Sequence, residues 1–175
     1  MKVRRMMALL ALPILLATPV NATEPDPALA AIAGVYKHRF QNGTVQGDEY
    51  QSENILEIVP TGPDQAYFRT HLEYFNGHTC DLYGIADWRD GALHFQDRAT
   101  EGYPACRLRL EVKDGNIVFV DDPDVPCRND YCGARGSFNL DFKAGEKRRI
   151  RYMDRLLAST EYAAAKEAYA ARQGQ

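Results

Sequence analysis

The sequence predicts a mainly β protein: an antiparallel meander of about eight strands that forms a small barrel or a strongly curved sheet, followed by a C-terminal helical segment. Three observations predict this fold class. Short stretches in which apolar and polar residues alternate recur between residues 34 and 142. The turn sequences Asn76-Gly77, Asp90-Gly91 and Asp114-Gly115 separate several of these stretches. From residue 148 onward, the apolar residues follow the spacing of a helix instead.

Residues 1–22 are typical of an export signal. Lys2, Arg4 and Arg5 precede an apolar run of eleven residues, and Val20-Asn21-Ala22 has the small-residue pattern of a cleavage site. Since a helix needs about 20 apolar residues to cross a bilayer, we interpret the run as a signal peptide rather than an anchor. We therefore expect a periplasmic or secreted protein of 153 residues, with no membrane span after cleavage.

The domain organisation follows from these patterns. We expect residues 23–33 to be a leader that includes a short helical turn, and residues 34–147 to form the β-barrel domain. Residues 148–175 are predicted to be a helical tail packed on the barrel, either outside the sheet or across one barrel mouth, with Ser159 capping its second helix. A helix that binds a membrane surface or a partner is the alternative for this tail.

Residues 66–88 predict a long β-hairpin around which the domain is organised. A connection through Phe75, Asn76 and Gly77, with Gly77 in the left-handed conformation, pairs Tyr74 with His78. This register gives the hairpin one face of core residues and one polar face that meets water or a partner. The predicted core face contains Ala66, Phe68, Leu72, Tyr74, Cys80, Leu82, Gly84, Ala86 and Trp88, with Phe68 lying over Gly84. The predicted polar face contains Arg69, His71, Glu73, Asp81, Tyr83 and Asp87, with His71 opposite Asp81 and Arg69 opposite Tyr83.

The other strands are predicted from alternating side chains and from the turns between them. They cover residues 34–40, 50–59, 92–96, 106–112, 117–120 and 132–142. Residues 121–131 contain two prolines and four aspartates and predict a loop. These aspartates lack the spacing of an EF-hand calcium loop, which favours a solvated turn.

Four cysteines, an even number in a chain with an export signal, predict two disulfides. Of the three possible connectivities we favour Cys127 with Cys132 and Cys80 with Cys106. The first pair closes a short loop, and the second joins two strands that start at the same rim of the meander. The alternative is a zinc site, but the sequence has no C-x-x-C pair, so we expect neither a metal nor a cofactor.

The predicted mature chain has 18 basic and 24 acidic residues, hence a formal charge of −6 with neutral histidines. This charge argues against nucleic acid as a partner and fits either a basic protein, a small ligand or simple solubility. Catalytic signatures such as G-x-S-x-G, H-E-x-x-H and a phosphate loop are not in the sequence, so we expect no enzyme. His71 beside Asp81 is the pair that could support general base chemistry, and a solvated cross-strand pair is the competing interpretation.

Arg135 stands out because glycine and alanine flank it in Gly133-Ala134-Arg135-Gly136, directly after a cysteine. Small neighbours let another backbone approach while the guanidinium projects, which predicts a binding loop. The alternative is that the glycines serve a bulge and that Arg135 pairs with Asp121, Asp122, Asp124 or Asp130 in the adjacent loop.

Two resemblances to known families accompany these residues. The Gly-x-aromatic start in Gly34-Val35-Tyr36, the meander and the C-terminal helix resemble the calycin barrels, although Tyr36 stands where lipocalins carry Trp. The exported, disulfide-bonded barrel also resembles periplasmic inhibitors of c-type lysozyme, which insert a Gly-Ala-basic loop into the enzyme cleft. Gly133-Ala134-Arg135 is similar to that loop over these three residues.

Two functions from different classes follow. The first is a binding module for an extracytoplasmic protein, such as an inhibitor of a hydrolase like lysozyme. Its candidate binding residues are Gly133, Ala134, Arg135, Arg69, His71, Asp81 and Tyr83. The second is a lipocalin-like carrier of a small hydrophobic ligand, for which the chain has many aromatic residues. A small hydrolase is a third, weaker alternative.

Overall fold

The computed structural model describes residues 24–99 and 104–174. The predicted signal peptide, residues 1–22, lies outside them. The predicted fold class is confirmed: the described chain forms one antiparallel sheet of nine strands, curled into a half-barrel, with helices at its C-terminus. Among the described helices, none combines the length and the apolar character needed to cross a membrane.

The strands follow one another in the sheet in nearly the same order as in the chain. They are β1 (Gly34–Gly43), β2 (Glu49–Gly62), β3 (Gln65–Tyr74), β4 (His78–Arg89), β5 (Ala92–Gln96), β6 (Arg107–Lys113), β7 (Asn116–Asp121), β8 (Asp141–Phe142) and β9 (Lys147–Arg148). The helices are α1 (Pro27–Ile32), α2 (Arg128–Tyr131), α3 (Met153–Leu157) and α4 (Thr160–Gln173). β9 pairs with β1 at one edge, and β8 forms the other edge. The short 3₁₀ turn Ala144–Glu146 connects these two edge strands, so the sheet curls until its edges approach each other.

The β3–β4 hairpin has the predicted register. Tyr74 pairs with His78, and His71 pairs with Asp81. The connection is a 3₁₀ turn in which Gly77 has φ 71° and Asn76 has φ 63°. Asn is one of the few residues that adopt this left-handed conformation readily, since its short amide bonds locally. The period of two along each strand then sends the predicted apolar residues inward.

The concave face of the sheet holds the main core. Its large, fully buried side chains are Tyr36, Leu56, Ile58, Phe68, Leu72, Leu82, Leu93, Leu108, Phe138 and Phe142. Trp88 packs against this core but is partly exposed, because it lies at the end of β4, one residue beyond Asp87, where the pairing with β3 ends. Phe68 pairs with Gly84 as predicted, yet the ring nearest to Gly84 is that of Phe95, which packs edge-on against Phe68.

The tail docks on the outside of the sheet, which is one of the two predicted positions. Tyr67 and Ile85 lie on the outer face of the hairpin and are buried beneath Leu156 and Ala165. The Ser159 hydroxyl accepts a hydrogen bond from the Tyr162 backbone N–H at 3.2 Å, which confirms the predicted cap. Part of the hairpin face that was predicted to meet water or a partner is therefore covered by the protein's own helices.

The prediction of a last strand over residues 132–142 is wrong for most of its length. Within this range only Asp141–Phe142 forms a strand, which is β8, and residues 133–136 form a turn. Cys132 forms a single bridge with Cys80 on β4, and Gly136 packs against this disulfide so closely that a Cβ atom would lie 2.5 Å from the Cys80 Sγ. The disulfide thus bends the chain away from an extended path.

Both disulfides form, but the predicted pairing is wrong. Cys80 is bonded to Cys132 and Cys106 to Cys127. Helix α2 separates Cys127 from Cys132, while a bridge between Arg107 and Pro126 brings Cys127 beside Cys106. The two bonds are typical of an oxidising compartment outside the cytoplasm.

The two disulfides make a first testable prediction. Replacing Cys80 and Cys132 by Ser, with their separation of 52 residues, should lower the free energy of unfolding by about 4 kcal/mol. Replacing Cys106 and Cys127, separated by 21 residues, should lower it by about 3 kcal/mol, because a shorter loop restricts the unfolded chain less. Urea unfolding measures both values. Non-reducing peptide mapping checks the pairing, and a peptide joining Cys127 to Cys132 would contradict it.

A second prediction concerns Gly84. A Cβ atom there would lie 2.3 Å from the Phe95 ring, so Gly84→Ala should overpack the core and lower the free energy of unfolding by about 2 to 3 kcal/mol. Gly145→Ala is the matched control, since nothing lies within 4 Å of a Cβ at that position, and it should change stability by less than about 0.5 kcal/mol. Equal effects of the two substitutions in thermal unfolding would rule out this packing.

Candidate functional site

The turn that carries Arg135 is tied to strand β4. The Gly136 backbone N–H donates to the Gly133 carbonyl at 2.8 Å, which closes a four-residue turn with Arg135 at its third position. The Gly133 N–H donates to the Thr79 carbonyl, also at 2.8 Å. The disulfide at Cys132 lies directly before the turn. Backbone hydrogen bonds and a covalent link therefore fix the position from which Arg135 projects.

Arg135 lies on an exposed aromatic ring. Its guanidinium carbon is 5.4 Å from the ring centroid of Phe75, whose residue surface is 42% exposed. The Phe75 ring also lies close to Gly43: a Cβ atom added to this glycine would lie 3.6 Å from the ring. Within the described residues Arg135 forms no salt bridge.

Among the described residues, none of the four aspartates that were considered as partners of Arg135 pairs with it, and two of them have other partners. Asp121 accepts hydrogen bonds from the backbone N–H groups of Cys127 at 2.7 Å and Arg128 at 3.1 Å. Asp122 accepts from the Asp124 N–H at 3.0 Å and pairs with Arg107 at 3.0 Å. These carboxylates stabilise their own loop, so the guanidinium of Arg135 keeps its donors.

A second exposed apolar side chain lies on the loop next to Phe75. Val45 is 59% exposed, and its backbone N–H donates to the Asn76 side-chain oxygen at 3.3 Å. The Gly77 N–H donates to the Tyr50 hydroxyl at 3.2 Å, which joins the β3–β4 turn to the start of β2. We call Val45, Phe75 and Arg135 the rim surface.

A groove of about 860 Å³ opens beside the rim surface on the concave side of the sheet. Its walls include Phe40, Tyr74, Phe75 and Leu140. The interior beyond it is filled, because Phe119 and Phe138 stack there with centroids 6.0 Å apart. A small ligand would therefore occupy the groove rather than a hollow barrel.

The polar edges of the groove are hydrogen-bonded within the protein. His38 Nδ1 lies 2.6 Å from a Glu146 carboxylate oxygen, and the buried amide of Asn42 donates to the Ser52 hydroxyl at 2.9 Å. The Tyr74 hydroxyl donates to the Ser137 carbonyl, and burial raises the pKa of Tyr74. Tyr74 thereby links the groove to the segment that follows Arg135.

His71, Asp81 and Tyr83 lie on the outer face of the hairpin. His71 Nδ1 is 2.5 Å from an Asp81 carboxylate oxygen, and its Nε2 is 3.5 Å from Glu73. The side chains of His71 and Asp81 and the Tyr83 residue are exposed. Among the described residues, no group of three or more His, Cys, Asp or Glu is arranged to hold a metal ion.

Arg69 is a predicted site residue that pairs with a buried carboxylate. Its Nε and one terminal nitrogen lie 2.6 and 3.1 Å from the two carboxylate oxygens of Glu57, which is 2% exposed. The Tyr152 hydroxyl also donates to Glu57, and burial together with this hydrogen bond raises the pKa of Tyr152. Glu57 and Tyr152 were missed by the sequence reasoning, because the bulge at Pro60–Gly62 hides the register that sets Glu57 opposite Arg69.

The predicted site residues thus occupy two adjoining regions. The Gly133-Ala134-Arg135 turn lies against Thr79, and Asp81 follows two residues further along β4, about 7 Å away along the strand. Arg135 lies at the end of the hairpin, whereas His71, Asp81 and Tyr83 lie on its outer face. We call the second region the outer hairpin face.

Comparison of the chain with protein-family models, with curated proteins and with solved structures finds no match.

The Glu57–Arg69 pair makes a third prediction. Arg69→Ala should lower the free energy of unfolding by roughly 2 to 3 kcal/mol, because it leaves the buried Glu57 carboxylate without its cation. The matched control is Arg39→Ala, whose partner Glu53 also pairs with Lys37 near the surface and whose removal should cost less than about 0.5 kcal/mol. Chemical denaturation of both variants measures the difference. A loss no larger than that of the control would show that Arg69 has no structural role.

Proposed function

We propose that this protein is an exported binding module whose rim surface contacts an extracytoplasmic protein, with Arg135 entering an acidic site of that partner. The observation that carries the proposal is the state of Arg135. It projects from a disulfide-anchored turn, stacks on the exposed Phe75 and has no carboxylate partner within the described residues.

Rigidity supports this function. A loop that is ordered before binding loses little conformational entropy on association. The turn at Gly133–Gly136 is held by two backbone hydrogen bonds and by the disulfide, and the ring of Phe75 limits the positions of the guanidinium. Stacking occupies the face of the guanidinium and leaves its N–H groups at the edge available to a carboxylate.

The composition of the rim surface also supports a protein partner. Aromatic residues and Arg are enriched among the residues that contribute most to interface affinity, and apolar neighbours exclude water around them. Phe75 and Val45 supply exposed apolar surface beside Arg135. The exposed residues His71, Asp81 and Tyr83 on the outer hairpin face would extend the contact with polar groups.

The resemblance to inhibitors of c-type lysozyme gives the proposal a specific form. In that form, the Gly133-Ala134-Arg135 turn enters the cleft of a cell-wall hydrolase, and the guanidinium pairs with catalytic carboxylates that would otherwise act on the substrate. A protein with an expected charge of −6 would also be attracted to a basic enzyme over distances longer than the contact itself.

A small-ligand carrier is the second candidate, and the groove favours it. Its volume of about 860 Å³ lies within the range of small-molecule sites, and Phe40 and Leu140 give it apolar walls. Mass spectrometry of the purified protein under native conditions distinguishes the two candidates, since a carrier should retain a ligand of defined mass.

The fourth prediction tests Arg135. Arg135→Ala should weaken inhibition of a c-type lysozyme by about 2 kcal/mol or more, roughly a thirtyfold change in dissociation constant, with little change in melting temperature. Lys166→Ala is the matched control, because Lys166 is also exposed and lies 5.8 Å from the ring of Tyr162, but outside the rim surface and the outer hairpin face. Cell-wall lysis assays and calorimetry with the purified enzyme measure the effect.

Other outcomes of this experiment are equally informative. If Arg135→Ala lowers the melting temperature by many degrees and leaves binding intact, Arg135 is a structural residue. If lysozyme is not inhibited, the wild-type protein, the Arg135→Ala variant and the Lys166→Ala control serve as baits in periplasmic extract. A partner lost selectively by Arg135→Ala would then replace lysozyme, whereas equal capture by all three would end the proposal.

A further inference from the structure

A second pocket, of about 450 Å³, lies on the outer face of strands β4 to β7, and four arginines line it. The strand register explains their convergence. Asp87, His94, Arg109 and Val120 form a row of direct neighbours across the four strands. Side chains two residues apart share a face, so Arg89 and Arg107 join the same surface, and Arg172 reaches it from helix α4.

The carboxylates at this pocket have other partners. Asp121 and Asp122 bond to backbone N–H groups of their own loop, as described above, and Asp122 also pairs with Arg107. Asp87 accepts from the Tyr169 hydroxyl at 2.6 Å and from Arg172 at 3.2 Å. These contacts fix the tail helix and the loop. They leave the positive charges of two other arginines only partly balanced by carboxylates.

Arg89 and Arg109 are those two arginines. Within the described part of the chain, Arg89 pairs with one carboxylate, that of Asp87, at 3.8 Å. Arg109 has one contact with Glu111 at 3.1 Å, and Glu111 is shared with Lys113 at 2.7 Å. Each guanidinium carries five N–H donors, so most donors of this pair remain for a ligand.

His94 lies between Arg89 and Arg109, and its Nε2 atom is buried without a hydrogen-bond partner among the residues that the structure describes. A buried ring nitrogen in that state is costly unless something else bonds to it. Burial lowers the pKa of His94, and the two arginines lower it further. The lining itself has an excess of positive charge, because it contains four arginines and three aspartates.

We propose that this pocket binds a phosphate monoester group, carried either by a small soluble molecule or by a lipid headgroup. Planar guanidinium groups match phosphate oxygens with paired N–H donors, and a doubly charged anion offers enough acceptors for Arg89 and Arg109 together. A volume of about 450 Å³ holds such a group with a small substituent. The pocket shares no lining residue with the rim surface, so this proposal is independent of the proposed function.

Calorimetric titration of the exported protein with glycerol 3-phosphate at low salt tests the proposal. We expect saturable binding that weakens about tenfold in Arg89→Ala or in Arg109→Ala and is lost when both are replaced. Arg39→Ala is the matched control, since Arg39 is an exposed strand arginine paired with Glu53 at 2.7 Å outside the pocket, and it should bind as the wild type does. Melting temperatures confirm that the variants are folded.

Vesicle sedimentation distinguishes the two sources of the group. Binding to phosphatidylcholine vesicles that contain phosphatidic acid, lost in the double variant, assigns the site to a lipid headgroup, whereas binding of glycerol 3-phosphate without vesicle binding assigns it to soluble molecules. The proposal is overturned if the wild type binds neither probe, or if Arg39→Ala weakens binding as much as Arg109→Ala does. The second result would indicate a response to total charge rather than a site.

Discussion

The register of the β3–β4 hairpin is the constraint on which the rest of the structure depends. Because successive side chains of a strand point to opposite faces, the turn at Phe75–Gly77 decides at once which residues enter the core and which face outward. Cys80 points inward and bonds to Cys132, while Tyr67 and Ile85 point outward and require a cover, which the tail supplies. A slip of one residue would reverse all of these positions.

The Cys80–Cys132 disulfide transmits this constraint from the core to the surface. It holds the following turn against the side of β4 that faces away from β3, where β5 pairs only with the last three residues of β4. Gly136 is needed at this point because its backbone packs directly on the two bonded cysteines. The position of Arg135 is therefore a consequence of core geometry and not of an independent surface loop.

The arginines of this protein differ in role because their carboxylate partners differ. Arg69 donates to both carboxylate oxygens of the buried Glu57 and therefore stabilises the fold. Arg172 fixes the tail by donating to Asp87. Arg135 has an aromatic ring in place of a carboxylate, and Arg109 shares its partner with a lysine. An arginine that keeps unsatisfied donors at the surface is available to a ligand or a partner, whereas one that is fully paired mainly stabilises the fold.

The sequence by itself determined the features that depend on neighbouring residues: the alternating faces of the hairpin, the tight turns at Asp90-Gly91 and Asp114-Gly115, the Ser159 cap and the presence of two disulfides. The tertiary structure decided what depends on distant pairs. Helix α2 and the bridge between Arg107 and Pro126 selected the cysteine pairing, and no local spacing encodes either contact. The same holds for Phe75 beneath Arg135 and for the arginines around His94, because residues far apart in the chain become neighbours only when the sheet has curled and the tail has docked.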